Sequence, residues 1–165
     1  MSNNADSVSP LPSIATIGAE VTTEPDGAVS EGEISKFTYT DQQKKNILAA
    51  AQKAGLKTVY IPTIGGGSDD YLDLVEVKGN TLILKFVRMA IAQSSEEIQP
   101  GEEAGDVKMV QLTDKVNGKW IQAENGSSVE FLYFRIDKTY IKYFSAKPFL
   151  KKNFEASARS MIPLY

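Results

Sequence analysis

Between residues 57 and 146 the chain alternates short β-forming runs with turn signals, most of them too brief to carry a crossover, and this limits the fold more than any other feature. "KTVYIP" (57–62) stops at Pro62, and "YLDLVEV" (71–77) sets Tyr71, Asp73, Val75 and Val77 against Leu72, Leu74 and Glu76. "KGN" (78–80) then turns the chain into "TLILKFVRMAIAQ" (81–93), read as one continuous strand of a long hairpin. "VKMVQLT" (107–113) leads to a turn at Asn117 and Gly118 within "NGKWIQAE"; "SSVEFLYFRI" (127–136) follows, and "KTYIKYFSA" (138–146) starts just past the Asp137–Lys138 turn. Connections this short join antiparallel neighbours, because a parallel pair needs a crossover of about a dozen residues or more. The region is predicted to be an antiparallel sheet of about six strands.

Such a sheet needs a cover for its apolar face, and the flanking segments supply two candidates. "TDQQKKNILAAAQKAG" places Thr40 at an N-cap with Gln43 three residues on, the capping-box pattern, and Gly55 where a left-handed residue ends a helix. Ile47, Leu48, Ala51 and Ala54 share one face, so a helix is predicted over about 41–54. Pro148 closes the strand region, and "FLKKNFEASARSMI" (149–162) carries Phe149, Leu150, Phe154, Ala158 and Met161 at helical spacing, with "PLY" as its stop. The expected fold class is α+β, an antiparallel sheet with an N-terminal and a C-terminal helix in a single domain over residues 38–165. "SSEEIQPGEEAGD" (94–106) reads as a surface loop. Residues 1–37 are rich in Ser, Thr, Pro, Gly and acids and bury too little to offset their ordering entropy; a disordered acidic tether is expected, with the ordered chain starting near Thr40.

Composition removes whole chemistries. The 165 residues include no histidine and no cysteine, so Ser-His-Asp and Cys-His nucleophiles, the usual zinc sites, haem and iron–sulfur ligation and disulfides are all closed to this chain. Carboxylate, lysine, tyrosine or serine chemistry survives, but without recognisable spacing. No enzymatic activity, catalytic residue, cofactor or metal is expected. The first 40 residues hold six acids against Lys36, and the rest is nearly balanced, which lacks the dense basic footprint of a nucleic-acid binder; no nucleic-acid partner is expected. No apolar run approaches the roughly 18 residues of a membrane span, and "MSNNADSVSP" has no basic n-region or apolar core of a signal peptide.

Three clusters merit weighing as sites. "TIGGGSDDYLDL" (63–74) lacks the lysine of a phosphate-binding loop and leads into a strand. Asp69, Asp70 and Asp73 are oxygen donors for a cation, but without the spacing of a calcium loop. The pattern favours a turn in which Gly65, Gly66 and Gly67 supply positive-φ positions and Ser68 and Asp69 satisfy freed amides. In "FLYFRIDKTYIKYF", Phe131, Tyr133, Ile136, Tyr140 and Phe144 interleave with Arg135 and Lys142, which suits either cross-strand packing or a ligand surface. Trp120, Tyr133, Tyr140 and Tyr143 are the candidate ligand-binding residues, on the condition that at least two of these rings are coplanar and exposed. Glu96-Glu97 and Glu102-Glu103 read as a solvated charge run rather than an acid–base pair.

The ordered body also resembles a known family. "KTVYIPT", "NTLILKFVRMAIAQSS", "VQLTDKVNGKWIQAENGSSVEFLYFRIDKTYIKYFSA" and "FLKKNFEASARSMIPL" are similar, in pattern and order over about residues 40–163, to the uncharacterised domain in extracytoplasmic parts of Gram-positive anti-sigma-factor-like membrane proteins and lipoproteins. "PTIGGGSDDY" takes the place of that family's proline–glycine–tyrosine turn, with a glycine run where the second proline stands. The resemblance implies a curved antiparallel sheet flanked by helices and attachment to the outer face of the cytoplasmic membrane through an anchor ahead of residue 1. The functional expectation is a non-enzymatic extracytoplasmic binding or sensory domain for an envelope ligand or a protein partner. The alternative is a carbohydrate-binding module using the four aromatic residues.

Overall fold

The computed structural model describes residues 34–98, 104–123 and 129–165. Thr40 opens helix α1 (Asp41–Ala54) through a complete capping box: its hydroxyl accepts from the Gln43 amide at 3.0 Å, and the Gln43 side chain accepts from the Thr40 amide at 2.9 Å. Gly55 ends the helix at φ 82°, in the left-handed region where a glycine avoids the Cβ penalty. Ile47, Ala51 and Ala54 are buried, as the helical spacing requires.

The strands are β1 (Val59–Ile61), β2 (Leu72–Lys78), β3 (Thr81–Phe86), β4 (Ala90–Ser94), β5 (Ala104–Gln111), β6 (Asn117–Ala123), β7 (Glu130–Ile136), β8 (Thr139–Phe144) and β9 (Ile162–Leu164), with helix α2 (Lys151–Arg159) before the last. Seven of them form an open antiparallel sheet in the order β2-β3-β4-β8-β7-β6-β5, and β1 pairs with β9 in a separate two-stranded ribbon. The expected α+β architecture with a helix towards each end is therefore observed. The long hairpin does not run unbroken: residues 81–93 are two strands, β3 and β4, hinged at Val87 and Arg88. "PLY" is not a stop but the end of β9. β5 begins at Ala104, inside the stretch expected to be loop, and residues 99–103, with Glu102 and Glu103, lie outside the described residues.

Strand register assigns every side chain to a face. Val75, Leu84, Ile91, Tyr143, Leu132 and Trp120 form one row across the sheet, and Val77, Leu82, Gln93, Ile141 and Phe134 the next, all on the same side. Both helices and the ribbon cover this side. Phe154 of α2 is fully buried beside Phe149 (ring centroids 4.1 Å apart), Tyr143 (5.7 Å) and Trp120 (6.3 Å). The ribbon is held by Gln93, itself fully buried, whose side-chain amide accepts from the Tyr60 N–H at 3.0 Å and donates to the Tyr60 carbonyl at 2.7 Å. Since Tyr60 gives its backbone groups to Gln93, Pro163 opposite it is asked for no donor, which is where an edge strand tolerates proline.

The ordered chain reaches further towards the N-terminus than expected. Ser35 and Phe37 bond to the glycine loop: the Ser35 amide donates to the Gly67 carbonyl at 2.8 Å, Gly65 to Ser35 at 2.8 Å and Phe37 to Thr63 at 2.9 Å. The Phe37 ring stacks on Phe86 at 4.9 Å. Residues 1–33 of the expected tether lie outside the described residues.

Candidate functional site

The glycine–aspartate loop is a structural knot. The buried carboxylate of Asp70 accepts from the Gly66 amide at 2.7 Å through Oδ2, and from the Arg88 amide at 2.8 Å and the Tyr71 amide at 3.1 Å through Oδ1. Its own amide donates to the Ser35 hydroxyl at 2.9 Å. The Asp70 carboxylate thus holds the glycine loop, the start of β2 and the β3–β4 turn, and its backbone amide holds the N-terminal strap. Burial pushes its pKa up, against the pull of the three amides in the other direction. Two expectations are corrected here. None of the three glycines has positive φ; Gly65 is present for close approach, since a Cβ there would lie 2.7 Å from the Asp70 Cβ and 2.8 Å from the Phe37 ring, Gly66 is crowded by the Phe154 ring at 3.1 Å, and Gly67 has room for a side chain. The Gly66 amide goes to Asp70 and the Gly65 amide to the Ser35 carbonyl, not to Ser68 and Asp69. Asp69 instead pairs bidentately with Arg88, at 2.7 and 2.9 Å, and this bonding lowers its pKa. No cluster of three or more acidic residues suited to a metal occurs among the described residues.

The sheet's second face is the better candidate. Its central row runs Met109, Lys119, Tyr133, Lys142, Ala92, Ile83, Glu76, with Val107, Ile121, Phe131, Phe144, Ala90, Lys85, Leu74 on one side and Arg135, Tyr140, Ser94, Thr81, Lys78 on the other. The helices and the ribbon pack on the opposite side, yet Ile83, Ala92, Ser94, Ile121 and Tyr133 at the centre of this face are buried. It is strongly apolar, yet carries five cations (Lys78, Lys85, Lys119, Arg135, Lys142) against Glu76, which Lys85 already engages at 3.0 Å. Met109 and Val107 are 70% and 53% exposed at the β5 edge, where soluble domains rarely cluster large apolar groups without use.

At its centre the Lys142 ammonium sits 4.4 Å from the Phe131 ring centroid, 5.1 Å from Phe144 and 5.7 Å from Tyr133. Alternation along β7 and β8 brings these rings to one side, and the cation–π attraction holds the lysine among them. Burial there pushes the ammonium's pKa down. The unfolded chain then binds more protons than the folded one between that lowered value and the ordinary lysine range, so stability from this group rises with pH across that alkaline window. Lys142→Met is expected to abolish this contribution. In urea melts of the two proteins at intervals from pH 7 to 10, the wild type should gain on the variant as pH rises; parallel profiles would show that the ammonium is fully solvated.

The structure separates the four candidate aromatic residues. Trp120 and Tyr143 face the helices at 4% and 0% exposure, and their polar ends are already bonded: Trp120 Nε1 donates to Glu155 at 2.9 Å, and the Tyr143 hydroxyl is 2.9 Å from that of Ser157. Tyr133 and Tyr140 lie on the second face, Tyr133 buried at 6% and Tyr140 half-buried beneath the Arg135 guanidinium at 5.5 Å. Three of the four rings are buried, so they do not form the pair of coplanar, exposed rings a sugar platform needs.

A cleft of about 380 Å³ opens on the second face among Ile98, Met109, Lys119, Ile121, Tyr133 and Arg135. Its size is that of a small-ligand site. The Tyr133 hydroxyl has no hydrogen-bond partner, and burial pushes its pKa up to about 12, so it stays a donor at neutral pH. Met109, Ile121 and Lys119 escape a motif search because β5 and β6 carry ordinary strand residues; only the register shows that they share a face with Tyr133 and Arg135. In comparisons with known proteins, no family model, no curated protein and no solved structure matches the chain.

Proposed function

We propose that this chain is a non-enzymatic binding or sensory domain, working at the outer side of a cell envelope, that meets its ligand on the second face of the sheet. The supporting observation is a buried hydroxyl without a partner on Tyr133, a residue that lines a cleft of mixed apolar and cationic character. Buried polar groups in folded proteins are nearly always bonded, so an orphaned donor at a cleft is suited to a partner from outside. The extracytoplasmic placement rests on the resemblance described above and on the acidic, proline- and serine-rich start of the chain. Binding in place of catalysis fits a chain without histidine or cysteine.

The test is an amide and methyl chemical-shift titration of the purified chain with a lipid and glycan extract of bacterial envelopes. Shifts concentrated on β5–β8, above all at Ile121, Tyr133 and Arg135, are the expected result. Shifts confined to α1 and α2, or none at all, would remove the second face as a small-ligand site.

A further inference from the structure

Resting on that reading, we propose that the cleft takes a single-chain amphiphile with an anionic head, its tail against Met109, Ile98 and Ile121 and its head between Arg135, Lys119 and the Tyr133 hydroxyl. The lining divides by chemistry in the way such a ligand does. Ile121, 3% exposed, and the Tyr133 ring form an apolar floor, and Met109 is an unbranched, adaptable side chain at the open edge. Lys119 is the cross-strand partner of Tyr133, and Arg135 lies two residues along β7 on the same face, away from Ile121, so two cations and one neutral donor occupy the end of the floor opposite Ile121.

Arg135 spends one donor on the Tyr140 hydroxyl at 3.3 Å and stacks on that ring, which leaves the rest of its planar fork available and its orientation fixed. None of the ion pairs among the described residues involves Arg135, Lys119 or Lys142. Lys142 stands next to Tyr133 on β8, its ammonium held over the aromatic rings, and adds positive potential from outside the lining. Glu97 is the carboxylate on the cleft wall, and Arg135 and Lys119 outnumber it. A neutral sugar head leaves both cations unanswered; a bare anion leaves the apolar floor uncovered. The volume suits one chain of moderate length and is small for a two-chain lipid.

The experiment is isothermal titration of the full chain with three probes below their aggregation limits: dodecyl phosphate, dodecyl maltoside with the same tail and a neutral head, and inorganic phosphate. Dodecyl phosphate is expected to bind one to one, at least about tenfold more tightly than the maltoside, with no saturable binding of inorganic phosphate over the same range. Arg135→Gln should weaken dodecyl phosphate about tenfold while leaving the thermal midpoint unchanged. Tyr133→Phe should weaken it several-fold while raising the midpoint, because an orphaned hydroxyl is removed from a buried site. Equal affinity for the two dodecyl probes overturns the anionic head but leaves the binding domain standing. Unchanged affinity in both variants overturns the cleft as the location. If no dodecyl probe binds although the envelope extract shifts the second face, the amphiphile is overturned and the binding domain survives. If neither probe nor extract acts, both fail.

Discussion

Phe154→Ala is expected to lower the unfolding free energy by about 3–5 kcal/mol and the melting midpoint by roughly 10–20 °C. The size follows from where the ring sits. It is fully buried, stacks within 4 degrees of parallel on Phe149, and packs α2 against both Trp120 on β6 and Tyr143 on β8, beside the bonds that Glu155 and Ser157 make to them. Truncation removes the transfer energy of a phenyl group and leaves a void that neighbouring strands of a fixed sheet cannot close. Such a loss is a large part of the stability of an ordinary domain. Urea unfolding followed by circular dichroism measures it, and Trp120 fluorescence reports on the same aromatic cluster. A loss below about 1 kcal/mol would mean that α2 is an ornament on a sheet stable without it.

Asp70→Ala is the second large effect, expected at about 3–5 kcal/mol from three backbone donors left without their acceptor in a buried site. The more informative variant is Asp70→Asn. Its carbonyl oxygen can still serve the Arg88 and Tyr71 amides, but its NH2 then faces the Gly66 N–H, donor against donor, and about 1–3 kcal/mol is expected. The two variants should also differ in hydrogen exchange. In Asp70→Ala, protection should fall together at Gly65, Phe37 and Ser35, whose bonds tie the N-terminal strap to this loop. Loss at Gly66 alone would show that the strap is held by Phe37 on Phe86 and not by the carboxylate.

Local signals were legible where the interaction that fixes an element lies within it. The Thr40–Gln43 box and Gly55 define α1 from within a few residues, and the turns at Gly79 and Asp137, both at positive φ, sit where the quoted turn pairs place them, whereas the turn expected at Asn117 and Gly118 lies at 112–116 and those two residues are already in β6. The break in residues 81–93 was not legible, for a physical reason. The turn at Val87–Met89 contains no glycine, proline or asparagine; it is bonded instead by Asp70, which accepts from the Arg88 amide, and by the Tyr71 carbonyl, which accepts from Val87. Turn chemistry supplied from that far back leaves no mark on the turn's own sequence. β9 is similar: a three-residue strand containing proline makes sense only once Gln93 has taken up the backbone of Tyr60.

The candidate site was legible by half. Alternation within "FLYFRIDKTYIKYF" groups Phe131, Tyr133 and Arg135 with Tyr140, Lys142 and Phe144, because period two and a tight turn determine it; Ile136, expected among them, pairs with Thr139 and packs on the core side instead. The same alternation puts Tyr143 on the opposite side, next to Lys142 but facing α2. Whether a ring on a given face meets solvent or a helix depends on where α2 returns, and that information sits in Phe154 and Ser157, far from the strands themselves.

The pairing of β1 with β9 also has a kinetic meaning. Val59 and Leu164 are partners across nearly the whole ordered chain, and β4 must wait for β8 before the two halves of the sheet join. A nascent chain emerging from a ribosome can complete the β2–β3–β4 unit early and can bond Gln93 to Tyr60, but β1 has no partner strand until residues 162–164 are synthesised. Folding of this topology is expected to be slow and concerted at its final step, with the apolar underside of the first three strands exposed in the interval. Closure of the ribbon by residues 162–164 is then the event that commits the chain.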